Sequence, residues 1–139
     1  MAGIAPLLDV AVVDAKMDPA GGLWRIRWQI ANSTRRPQHV SEVWLPHGLF
    51  HSERKVLAPT LVLASGESRT ITSLVNCSPK PGESIENAFL ILRVECGGEW
   101  RVFAQVRVDC ERQDSLKPVV EKVTAHPVGF MSAENRQRG

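Results

Sequence analysis

The segment LWRIRWQI, residues 23 to 30, alternates without a break between bulky apolar and polar side chains. Trp24, Ile26, Trp28 and Ile30 fall on one side, and Arg25, Arg27 and Gln29 on the other. A period of two is that of a β-strand with one wet face; an amphipathic helix repeats its apolar side every three to four residues. The two inward tryptophans make this strand the centre of the expected core. Truncating either one to alanine there would cost about 3–5 kcal/mol.

The same alternation governs AFLILRVECGGEWRVFAQVRVDC. Leu90, Leu92, Val94 and Cys96 form one face before Gly97 and Gly98, and Trp100, Val102, Ala104, Val106 and Val108 form it afterwards. A two-residue loop would set Val94 against Arg101 and mix buried with exposed positions. A three-residue loop of Gly97, Gly98 and Glu99 instead predicts Val94 opposite Val102 and Leu92 opposite Ala104. It also sets Glu95 against Arg101, an opposite-charge pair worth about 0.2–1 kcal/mol.

LLDVAVVDA reads as a first strand ended by the turn-rich DPAGG. HVSEVWL is a strand expected to stop at Pro46, and TLVLASGESRTITSLV reads as a strand, a turn at Ser65 and Gly66, and another strand. About seven short antiparallel strands predict an all-β sandwich or barrel over residues 1–110. Residues 111–130 are left between strand and helix: Leu116, Val119, Val120 and Val123 have helical spacing, while Pro118 and the valines favour extension. They form an irregular C-terminal extension that either packs on the core or stays extended, and residues 131–139 read as a disordered tail.

At 139 residues, 43% hydrophobic and 23% charged, the chain suits one globular domain. A net charge of +2, with basic and acidic residues interleaved, does not point to nucleic acid. No apolar run approaches the ~20 residues of a membrane-spanning helix. The N-terminal MAGIAPLLDVAVVDAKMD lacks a basic leader, and the three cysteines share no C-x-x-C spacing. Together these predict a cytoplasmic protein with reduced thiols, unless a leader has been removed.

Ile30-Ala31-Asn32-Ser33, and Leu63-Ala64-Ser65-Gly66-Glu67-Ser68 leading into Thr70-Ile71-Thr72, carry a resemblance to bacterial immunoglobulin-like sandwich modules of the CARDB or fibronectin type III kind. The likeness covers about residues 7 to 110. Those modules often carry Pro before the Gly of the second pattern, where this chain has Ser65. The resemblance implies an antiparallel immunoglobulin-like β-sandwich and says nothing of chemistry, since that architecture hosts many activities.

Candidate sites are few. His39, His47 and His51 fall within HVSEVWLPHGLFH. Pro46 and Gly48 prevent a helix from bringing His47 and His51 together, and an extended strand would hold His39 roughly 25 Å from His47. A Zn or Cu module built on these three is the alternative to a turn beyond a strand. Leu49 and Phe50 at that turn form a candidate contact loop, with Trp44 as either core or anchor. Phe89, Ile91 and Phe103 are expected on the outer side of the hairpin, as a patch for a partner or a second copy, or under the C-terminal segment. Arg25, Arg27, Arg93, Arg101 and Arg107 point outward, as a solvated sheet face or, in the alternative, as a surface for an anion or acidic partner. A Cys96–Cys110 disulfide is excluded by the predicted register, whereas Cys77 and Cys110 lie at one end and could be bridged in an exported chain. No catalytic motif, paired carboxylates or phosphate loop appears. The expectation is a non-catalytic module without a cofactor that binds another protein or itself, with an enzyme of unfamiliar type as the last alternative.

Overall fold

The computed structural model describes residues 6, 8–18, 23–112 and 115–128. The expected tail at 131–139 lies outside them. Among the described residues there is no helix; eight strands follow in order. They are β1 (Leu8–Met17), β2 (Leu23–Asn32), β3 (Gln38–His47), β4 (Phe50–Leu63), β5 (Ser68–Asn76), β6 (Ser84–Glu95), β7 (Glu99–Arg112) and β8 (Ser115–Pro127). Their spatial order is β1-β2-β5-β4-β3-β6-β7-β8 with every neighbour antiparallel. β1 also packs against β8, so the sheet nearly closes into a barrel.

The Trp24 strand lies at the centre of the core, as its alternation predicts. Ile26, Trp28 and Ile30 are fully buried, and Trp24 nearly so. Each buried indole N–H finds an acceptor. Trp24 Nε1 donates to Cys77 O at 3.1 Å, Trp28 Nε1 to Ser73 Oγ at 3.2 Å, and Trp100 Nε1 to Cys96 O at 3.0 Å. Those bonds remove the desolvation penalty of an unpaired donor and leave the ring area to stabilise the interior.

Eight strands stand where about seven were expected, because the C-terminal extension is regular. β8 pairs along β7 from Arg112–Ser115 to Trp100–Pro127. Leu116 and Pro118 are buried opposite Cys110 and Val108. Proline is compatible with an edge strand, where one side of the backbone has no ladder to supply.

The β6–β7 hairpin keeps its predicted faces but not its predicted partners. Val94 lies opposite Trp100, Leu92 opposite Val102, and Glu95 opposite Glu99. The loop is Cys96-Gly97-Gly98, closed by Cys96 N–H donating to Gly98 O at 2.9 Å. Gly97 and Gly98 have φ of 62° and 138°, a backbone that only glycine adopts freely. A slide of two residues preserves inside and outside, so alternation could not detect it. The expected Glu95–Arg101 pair is replaced by Arg93 opposite Arg101. Arg93 instead reaches Glu42 at 2.6 Å and Glu99 at 2.7 Å.

β3 does not stop at Pro46. It runs to His47, turns at Gly48-Leu49, and returns as β4 with His47 opposite Phe50. The first half of β4, FHSERKVLAP, has no alternation to announce it. It is a charged outer strand, irregular in register opposite Ser41 and Trp44 and carrying a cis Ala58–Pro59 bond.

Candidate functional site

The weakest join in the sheet lies between β4 and β5. Every other neighbouring pair forms a ladder of several residues, but β4 and β5 share one pair, His51–Asn76. From that point the strands diverge and leave a long groove. Its first stretch is lined by Val43, Ser52, Lys55, Thr72, Ser73, Leu74 and Arg25. Its second, of about 550 Å³, runs along residues 55–62 of β4, with Arg69 and Ile71 of β5 opposite. A cavity of about 460 Å³ caps the near end, with Leu49, His51, Asn76, Cys77 and Ile85 in its wall.

The two edges of this groove differ. Asn32 N–H donates to Glu67 O at 2.9 Å, and the β2–β5 register continues from there unbroken to Leu23–Asn76. Antiparallel pairing alternates, so odd-numbered residues of β5 exchange their hydrogen bonds with β2. Thr70, Thr72 and Leu74 therefore turn their N–H and C=O groups toward the groove. Among the described residues they meet no strand there. β5 holds a single register, with neither proline nor bulge. β4 is guarded by its register shifts, by Pro59, and by Lys55 at an inward register position opposite Val43. These devices discourage strand addition at β4 and are missing from β5.

Side chains along the groove are mixed. Leu57, Leu61 and Ile71 are half-buried against the core, while Val56 is 66% and Leu74 49% exposed. Cys77, in the end cavity, has its thiol pushed up to about 11 by burial, with Cys110 nearby adding to the effect. That thiol is inert rather than nucleophilic at neutral pH.

The residues proposed from sequence separate. Leu49 is 64% exposed and lines the end cavity, whereas Phe50 is 0% exposed and belongs to the core. Phe50 lies next to a two-residue turn, and the strand it opens turns it inward, so it is no surface anchor. Ile91 is 7% exposed, flanked in register by Trp44 and Phe103, and contributes little to any patch. Phe89 and Phe103 are half-buried and meet edge to face at 5.9 Å. Phe103 meets His126 in the same manner at 5.2 Å. β8 lies beside this face and does not fold over it. Trp44 is half-buried on the same side, with the Arg54 guanidinium 4.3 Å and the Arg101 guanidinium 5.6 Å from its ring centre. This outer face is occupied by its own side chains, which leaves the seam as the less satisfied surface.

His47 and His51 sit at the β3–β4 turn, and His39 pairs with Val62 at the opposite end of the hairpin. His47 Nδ1 accepts the Leu49 N–H at 3.0 Å. Among the described residues no three His, Cys, Asp or Glu side chains stand together in a metal-holding group. Cys77, Cys96 and Cys110 are buried and none is in a disulfide. Four of the five stripe arginines hold carboxylates: Arg25 with Asp18, Arg27 with Asp14, Arg93 with Glu42 and Glu99, and Arg107 with Asp109 and Glu121.

Sequence reasoning did not find the seam. Its signal was present in the polar, proline-bearing run HSERKVLAPT beside the proline-free SRTITSLVN. The first reads as a protected edge and the second as a pairing strand, but adjacency of the two needed the topology. Among the described residues no helix is long and apolar enough to cross a membrane. Comparison with protein-family models, with curated proteins and with solved structures finds no match.

Proposed function

We propose that this protein is a non-catalytic binding module that takes up an extended segment of another polypeptide as an added strand on β5, within the β4–β5 seam. The observation that carries the reading is the free edge of β5: three consecutive seam-facing backbone positions, Thr70, Thr72 and Leu74, beside a groove of mixed lining with apolar walls at Leu57, Leu61 and Ile71. Strand addition supplies partners for those groups, and side chains in the groove supply selectivity. The fold fits the same reading. Taken as an immunoglobulin-like sandwich, β1-β2-β5 form one layer and β4-β3-β6-β7-β8 the other, and the single His51–Asn76 pair marks the open side between them.

A random peptide library displayed on phage and panned against the folded protein tests this. Thr72→Pro removes one seam-facing N–H and leaves the bonds to β2 in place, because Thr72 does not donate to β2. Retained peptides are expected to lose binding to Thr72→Pro. A pool that binds this variant as well as the parent, or no pool at all, refutes strand addition.

A further inference from the structure

We infer that the segment received by the seam is acidic, an extended stretch carrying Asp or Glu interspersed with apolar residues. This rests on the strand-addition reading and names the chemistry of its partner. Three cations line the groove, Arg25, Lys55 and Arg69, and neither stretch of it between β4 and β5 has a carboxylate in its lining. Lys55 lines both stretches and, among the described residues, holds no ion pair. Arg25 and Arg69 have only long, exposed contacts, to Asp18 at 3.5 Å and Glu67 at 3.4 Å. Exposed pairs of that kind contribute little and are readily exchanged for a new carboxylate.

Charge also decides among occupants. A second copy offering its own β5 would bring Arg69 and the neighbouring cations into a groove that is already positive, at a cost from like charges. A basic or neutral segment gains only backbone bonds and apolar contact. An acidic one gains those together with the charge of Lys55, beside apolar walls at Leu57, Leu61 and Ile71. The apolar residues of the segment meet those same walls.

Three synthetic peptides of about ten residues, alternating Val with Glu, with Ser or with Lys, make the test, titrated by fluorescence anisotropy against the whole protein. The Glu peptide is expected to bind tightest. Lys55→Glu should weaken it about fivefold, and raised salt should weaken it as well. Thr72→Pro should abolish binding of every peptide. Because that variant carries a proline in a strand, slowed amide exchange of Thr70, Thr72 and Leu74 in the parent protein on peptide addition provides a second readout. Equal affinity for the Ser and Glu peptides, or no effect of Lys55→Glu, overturns the acidic partner and leaves strand addition standing if Thr72→Pro still abolishes binding. Absence of binding by all three, or binding without protection of those amides, overturns both.

Discussion

Gln38 donates through Nε2 to Asn32 Oδ1 at 3.0 Å, joining the last residue of β2 to the first of β3 inside the protein. Asn32 is the node of this corner. Its Nδ2 donates to Arg36 O at 2.8 Å, Leu63 O at 3.0 Å and Ala64 O at 3.2 Å, and its Oδ1 also accepts from the Thr34 N–H and hydroxyl. One buried amide therefore ties β2, the following turn, β3 and the end of β4. Asn32→Ala leaves several of those groups without partners and is expected to cost about 3 kcal/mol in urea unfolding. Gln38 has a buried Oε1 with no partner, so its removal also relieves a penalty. Gln38→Met should cost less than Asn32→Ala; equal losses would show that the corner is held by packing and not by the Asn32 amide.

Trp28 and Ser73 offer a second pair. Trp28→Phe shrinks the ring and strands the buried Ser73 hydroxyl, for an expected loss of about 2 kcal/mol. Ser73→Ala alone should cost about 1 kcal/mol. The double variant should fall short of the sum by a similar amount, since both changes remove one bond. Strict additivity in a denaturation cycle would mean that the indole N–H contributes nothing.

What the sequence made legible follows the period-two signal. Trp24, Ile26, Trp28 and Ile30 are inside because alternation fixes faces absolutely. Partner choice along the β6–β7 hairpin was not legible, because sliding by two leaves every face unchanged, and the glycine geometry at Gly97 and Gly98 decided it. Asn32 and the Ser65–Gly66 turn, which stand out in the sequence, meet at this corner: Asn32 N–H donates to Glu67 O and Gly66 N–H to Asn32 O, both at 2.9 Å. Ser65 donates its hydroxyl to Thr34 O at 2.7 Å and ties the two turns together. β4 was half missed because an edge strand need not alternate. The seam was missed altogether, since it is a relation between strands that are not hairpin partners.

The outer face predicts a modest and separable effect. The Arg54 and Arg101 guanidiniums both lie over the Trp44 ring, and the Arg101 Nε is buried without a hydrogen-bond partner. Trp44→Leu keeps apolar area but removes the ring face that both cations use. A loss of about 1 kcal/mol is expected from partly exposed cation–π contacts. Arg101→Met relieves the orphaned Nε and should be nearly neutral. A large loss in Arg101→Met, measured by thermal unfolding, would assign Arg101 a role beyond stacking.

Acid lability follows from three carboxylates held below their usual range. Asp14 is lowered chiefly by its hydrogen bond from Arg27, Glu67 by the Ala64 backbone N–H, and Asp109 by the Ser84 hydroxyl. A carboxylate more acidic in the folded state stabilises that state above its unfolded pKa and ceases to do so as pH falls through the folded value. The loss should begin near the ordinary values of 3.8 for Asp and 4.5 for Glu and continue below them. Urea midpoints should be flat near neutral pH and fall in that acidic range. Ser84→Ala should reduce the fall through its effect on Asp109; an unchanged slope would remove the Ser84 bond from the account.

Cys77 titrates with the opposite sign at the alkaline end. Burial, with Cys110 adding a smaller effect, raises its pKa from 9.0 to about 11. The folded state then holds the proton more tightly than the unfolded chain does. Its contribution is complete below 9.0 and is lost as pH rises through about 11. Two measurements check this. At mildly alkaline pH, a thiol reagent should modify Cys77 slowly in the native protein and rapidly in urea, because the thiolate is the reacting species. In Cys77→Ala, the decline of stability between those two pH values should be shallower than in the parent. Rapid native labelling of Cys77 would mean that the end cavity opens readily to solvent and that the thiol is not held neutral by its surroundings.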